Sequence, residues 1–193
     1  AYDGRCTSRF NCPGAEFYDK LSDFQRYTWR RSIPALKPGS HVHHPQHGVG
    51  KIESIRKRSF SGQAAATYAQ VYFERDALTL IMLAERIPQT IRNLISSDEA
   101  LELLDRLKNW SSIPKAQWKA RVDDHQRAIE SGDPFECAKV IKGLSLLATE
   151  SELNHRDRDQ LNQSLDLLTD ELSCALKRRP AKTRQLIMQA VDT

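Results

Sequence analysis

Cysteine is scarce and scattered in this chain: Cys6, Cys12, Cys137 and Cys174 form no CxxC or CxxH pair. Such spacing supplies neither a zinc knuckle nor a disulfide framework, so a reducing, cytoplasmic setting is the expectation. Long apolar runs are missing as well. Stretches such as residues 78–84 fall far short of the ~18 residues that a bilayer span needs, and no charged segment followed by an apolar one opens the chain. No membrane partner is expected. The phosphate-cradling patterns GxxxxGK[ST] and GxGxxG do not occur, nor does GxSxG or a local Cys/His signature of nucleophilic catalysis. Internal repeats and low-complexity tracts are absent too. The chain is therefore expected not to be an enzyme, with no catalytic residue, cofactor or small-molecule substrate to nominate.

What is present is a globular composition of unevenly placed charge. With 193 residues, 39% of them apolar, the chain can bury one large core or two small ones. The net charge of +4 is ordinary, yet its location is not. Residues 37–95 carry eight Lys/Arg against four Asp/Glu, whereas residues 96–193 carry fifteen against seventeen. The middle of the chain is the basic part, and a basic surface fits an acidic partner.

Periodicity divides the chain in three. Residues 1–33 mix Gly, Pro, Ser and charge with isolated aromatics at no sustained period, although 16–31 can form a marginal helix. Residues 1–36 are taken as a poorly ordered extension. Beyond it, Pro38-Gly39 marks a turn, and VHHPQHGVGKIESI (42–55) predicts two short strands around a Pro/Gly bend. A second turn falls at 59–62. TYAQVYFE (67–74) and ALTLIMLA (77–84) predict two more strands joined at Arg75-Asp76. Four or five short strands in about 50 residues suit a small antiparallel barrel, with Gly48 and Gly50 permitting a bulged, twisted hairpin.

The period then switches to helical. SSDEALELLDRLKNW predicts an amphipathic helix with Ser97 as N-cap. Pro114 can open a second helix running to Gly132, Asp133-Pro134 a third over 134–149, and Asn154 a fourth over 155–178. Pro180 breaks the last, and 182–191 adds a short terminal helix. The fold class predicted is α+β multidomain: a small antiparallel β-barrel over 37–95 followed by an all-α bundle over 96–193 that ends in a basic tail.

Four histidines, His41, His43, His44 and His47, invite a metal reading, but strand alternation puts 43 and 44 on opposite faces and Pro45 bends the chain before 47. Surface or barrel-packing roles fit them better, and no metal ligand is nominated. Cys137 and Cys174 lie on apolar helix faces, where a thiol is usually core. Two features point to partners. Lys51, Arg56, Lys57 and Arg58 set positive charge along one end of the barrel, as a solvated edge or as a contact for an acidic protein patch. KNWSSIPKAQWKAR (108–121) holds four cations, two tryptophans and no acid. Trp110 continues the apolar pattern of its helix and is assigned to the core. Trp118, with Lys115, Lys119 and Arg121 near it, either seals the bundle or stands exposed, where cations would bind phosphates and the indole would stack on or wedge beside a base.

HPQHGVGKIESI, YAQVYF, LTLIMLAERIPQTIRNLIS, the WKAR helix, SGDPFECAKVIKGL and LNHRDRDQLNQSLDLLTDEL, in that order across about residues 37–178, together resemble the CarD/CdnL family of bacterial transcription regulators. The resemblance implies a Tudor-like barrel, akin to the RNA polymerase-interacting domain of the transcription-repair coupling factor, that docks on the polymerase β subunit. It also implies a helical domain that touches promoter DNA at the upstream edge of the melted region, where a tryptophan wedges into the minor groove and keeps the open complex from closing. The wedge falls on Trp118, with Lys115, Lys119 and Arg121 as phosphate contacts. The polymerase contact falls on Arg58 with Arg56 and Lys57, and on Ile81, where related members carry arginine; their following proline is Leu83 here. DNA binding without sequence readout is expected because no recognition-helix arrangement of Arg, Asn and Gln is visible; a place on the bacterial nucleoid through polymerase follows from the likeness. An RNA- or ribosome-binding module on an SH3-like barrel is the alternative, and a metal-dependent sensor using the histidines a more distant one.

Overall fold

β-branched and aromatic residues alternating with polar ones build a single five-stranded antiparallel sheet. The computed structural model describes residues 37–59, 64–110 and 117–192. In it β1 (His41–His44), β2 (Gly48–Arg58), β3 (Ala66–Phe73), β4 (Leu78–Leu83) and β5 (Arg92–Asn93) stand in the order β4-β3-β2-β1-β5. The barrel expected from strand number is thus an open sheet, because β4 and β5 at its two edges do not pair with each other. The short β5 and a one-turn helix before it, α1 (Ile87–Thr90), were not foreseen; RIPQTIRN has neither a sustained period of two nor one of 3.6.

One face of the sheet buries Val42, Ile52, Ala69, Val71 and Phe73, closed over by Ile87 and Ile91. The register of β2 slips between Ile52 and Ser54, so the bulge lies at Glu53 and not at the glycines. Gly48 holds the hairpin with φ +70°. Gly50 serves packing instead: a Cβ there would stand 2.6 Å from the Phe73 ring and 2.8 Å from Val71.

Five longer helices follow: α2 (Ser97–Asn109), α3 (Trp118–Glu130), α4 (Pro134–Glu150), α5 (His155–Leu176) and α6 (Pro180–Val191). The N-cap of α2 is Ser96, one residue earlier than expected, because Ser96 and Glu99 close a reciprocal capping box. Asp133 caps α4 by accepting from the Phe135 amide at 2.8 Å, and Gly132 takes φ +68°, so α3 and α4 fold back as a hairpin. Pro180 opens α6 as its first residue; α5 has already ended at Lys177, in the left-handed conformation. Pro114 lies outside the described residues. Leu103, Leu107, Ile141, Leu144, Leu168, Leu172 and Ile187 fill the helical core.

Cys137 is buried, and burial pushes its thiol up to about 12. Cys174 is exposed, contrary to the expectation of a core thiol: its position on α5 faces a cleft beside the sheet, lined also by Lys51, Tyr72 and Asp170. Cys6 and Cys12 lie outside the described residues. Among those residues no helix is long and apolar enough to cross a membrane.

Candidate functional site

The face of the sheet opposite its core does two things along its length. In register, His43 lies opposite both Val49 and Arg92, and this end packs on α5. Arg92 grips the buried Glu171 through both guanidinium nitrogens, at 2.5 and 2.7 Å, and donates to the Gly132 carbonyl at 2.7 Å. The Ile95 amide completes the shell of Glu171 at 3.2 Å, with His43 Nε2 3.7 Å away. Full burial alone would favour the neutral acid; the Arg92 charge and these donors overcome it and hold the Glu171 carboxyl below the usual range. Burial drives the His43 imidazole down to about 4, so it is neutral there. Arg75 with Asp170 at 3.0 Å adds a second bridge from sheet to α5. Sheet and helices are thereby fixed in one orientation.

Farther along, the same face is open. The rows Ser54, Gln70, Ile81 and Arg56, Tyr68, Leu83 cross β2, β3 and β4 on it, followed by Arg58 opposite Ala66. Ile81 is 50% exposed, an apolar side chain on an edge strand whose outer backbone groups meet no further strand of the sheet. Arg56 and Arg58 thus share a face with Ile81. Lys57, opposite Thr67, alternates to the other face and does not join them. Leu83 belongs to the same surface, as do Tyr68 and Gln70, two residues without a local signal, because only pairing register reveals which residues stand in one row.

His44 and His47 serve the hairpin tips, while His41 stands opposite Lys51. His44 packs edge-on against Phe73 with centroids 5.8 Å apart and lies 4.8 Å from His47, which pairs with Asp76 at 2.6 Å.

At the far end of the bundle, Trp118 is the first residue of α3 and 53% exposed. Lys119 Nζ stands 5.7 Å from the indole centroid, within cation–π reach. Around the ring is a recess of about 490 Å³ lined by Trp118, Lys119, Val122, Asp123, Gln126 and Arg156. Arg156, from α5, was not anticipated; it lies 38 positions along the chain and only folding brings it there. Lys115 lies outside the described residues. Arg121 does not belong to this surface. It is 7% exposed and bound to the buried Asp157, with Nη2 to Oδ2 at 2.6 Å and Nε to Oδ1 at 3.3 Å. Asn154 donates to the same carboxylate at 2.8 Å. One helical turn beyond Trp118, Arg121 faces inward, where the bundle supplies a carboxylate that local spacing could not announce. Trp110 is half-buried beneath Lys139, whose Nζ is 5.3 Å from its ring.

Residues 36–95 match the family model described as "CarD-like/TRCF RID domain", and residues 102–188 match "CarD, C-terminal domain". The chain belongs to the CarD family. The chain is also 22% identical, over 134 residues, to a protein of Bacillus subtilis (strain 168) named "Putative transcription factor YdeB"; the match covers 69% of this chain and 88% of that protein. As a CarD family member the chain is a non-enzymatic transcription regulator, and its sheet is of the type that interacts with RNA polymerase. The two matches meet near the beginning of α2, so the sheet corresponds to one and the helices to the other.

Proposed function

We propose that this CarD family protein docks on the β subunit of RNA polymerase through the open end of its sheet and holds the open promoter complex with Trp118. Residues 37–95 act as the docking part, 96–193 as the DNA-contacting part and 1–36 as an extension. In docking, Ile81 is the apolar anchor, and Arg56 and Arg58 supply flanking charge that steers association. Lys57, on the other face, takes no part in this contact.

The half-exposed indole beside Lys119 and Arg156 carries the reading. An exposed tryptophan is costly to leave in water, and cations around it suit phosphates flanking an opened base step. Inserting a wedge costs a few kcal/mol of unstacking per step, least where the duplex is already melting. A protein tethered to polymerase meets that DNA at an effective concentration on the order of millimolar, so a weak contact suffices. Arg121 contributes by fixing α3 to α5, not by touching DNA. Bound this way, the protein resides on the nucleoid with polymerase.

The test separates the two ends. Trp118→Ala should keep its melting temperature, since an exposed side chain changes stability by about 0.5 kcal/mol or less, and should be retained by immobilised polymerase. The lifetime of open complexes should fall to the value without the protein. Undiminished lifetimes would remove the wedge. Ile81→Glu should abolish polymerase retention.

A further inference from the structure

Helix α5 joins two cationic ends. At its start Arg156 lines the Trp118 recess; just past its end stand Lys177, Arg178 and Arg179, with Lys182 following in the first turn of α6. All four of these cations are exposed, and among the described residues none has a carboxylate within ion-pair reach. Four like charges within six positions repel one another. Nothing in the next turn offsets it, because the first turn of α6 has no acidic residue and cations at a helix N-terminus oppose its dipole.

The spacing between the two ends follows from helix geometry. From Arg156 to Lys177 the axial rise is about 31 Å at 1.5 Å per residue, close to one turn of B-DNA, about 34 Å. Arg156 and Cys174 are separated by about five turns of 3.6 residues, so they lie on one line of α5 and are exposed at its two ends, while Leu167, close to the same line, is buried beside Gly48. Two of the acids beside that line are paired with arginines: Asp166 stands 2.5 Å from Arg184 and Asp170 3.0 Å from Arg75. Helix α5 thus carries cations at both ends, while Asp166 and Asp170 between them are paired with Arg184 and Arg75.

We infer that the corner formed by Lys177, Arg178, Arg179 and Lys182 is a second contact for the phosphate backbone of duplex DNA, about one helical turn from the Trp118 contact and on the same side of the duplex. The corner reads no sequence, since nothing in it is arranged against base edges. It rests on the reading of Trp118 as a DNA contact, and it sets the direction of the duplex along α5.

Hydroxyl-radical footprinting of polymerase–promoter complexes, with and without the full chain, tests it. The wild-type protein should add two protected patches about 10 base pairs apart. The variant combining Arg178→Gln, Arg179→Gln and Lys182→Gln, which leaves Lys177 and the end of α5 intact, should lose only the second patch. Loss of three phosphate contacts should also lower the slope of log affinity for the polymerase–promoter complex against log salt by about 2.7. Trp118→Ala should lose only the first patch. A triple variant with the wild-type footprint and slope overturns the inference. A single wild-type patch that Trp118→Ala abolishes overturns it while leaving the wedge standing, and no added protection at all overturns both. Unchanged footprints with lost binding to phosphatidylglycerol vesicles would assign the corner to a lipid surface and equally overturn it.

Discussion

Replacing Arg92 by Met should unfold this protein far more readily than replacing both members of the pair it forms. Glu171 is 1% exposed and takes two hydrogen bonds from Arg92, so Arg92→Met strands a buried carboxylate with only the Ile95 amide and a neutral His43 nearby. Removing one partner of a buried pair costs about 3–5 kcal/mol. The lost bond to the Gly132 carbonyl adds about 1 kcal/mol. Against a total stability of about 5–15 kcal/mol, that is about a quarter or more. At about 2–4 °C per kcal/mol for a chain of this size, the melting temperature should fall by roughly 8–24 °C. Glu171→Leu alone leaves a guanidinium that is one-fifth exposed, and should cost somewhat less. In the double variant no charge is stranded, and the summed loss should shrink by at least 2 kcal/mol. Urea unfolding of the wild type, both single variants and the double variant closes the cycle. Strict additivity would refute the buried pair as the joint between sheet and helices. Single variants that fold should keep polymerase binding yet shorten open-complex lifetimes, because the indole is no longer held in register with the docked sheet.

Two further outcomes follow from the buried groups. His43 is driven from 6.5 to about 4 in the fold, so the unfolded chain binds the extra proton between those values; stability is full above pH 6.5 and declines by up to about 3 kcal/mol as pH falls to 4. Acid titration of the unfolding free energy should show this slope, and His43→Asn should flatten it; an unchanged slope would place the titration elsewhere, while Glu171 contributes its own loss only below about 4.5. Arg121→Ala should destabilise the fold by about 3–5 kcal/mol by stranding Asp157, with a urea midpoint far below that of Lys119→Ala; equal midpoints would return Arg121 to the surface.

The order of elements was legible because each depends on neighbours in sequence. Period-two alternation in residues 67–74, the Asp133-Pro134 start, the Asn154 cap and the amphipathic run after Ser96 are local choices of backbone and burial, and they also sufficed to separate sheet from bundle. Exposure of Trp118 was one of two alternatives at that level, since an indole at a helix start faces core or solvent according to what packs around it. Tertiary structure decided the rest. It buried Arg121 against an aspartate 36 positions away, brought Arg156 to the indole, turned Lys57 away from Arg56 and Arg58, left the sheet open at both edges and joined one end of it to α5 by Arg92 and Glu171. None of these could be seen in the chain alone, because a charge shows its type in the sequence but finds its partner only when segments dozens of residues apart are brought within a few ångströms.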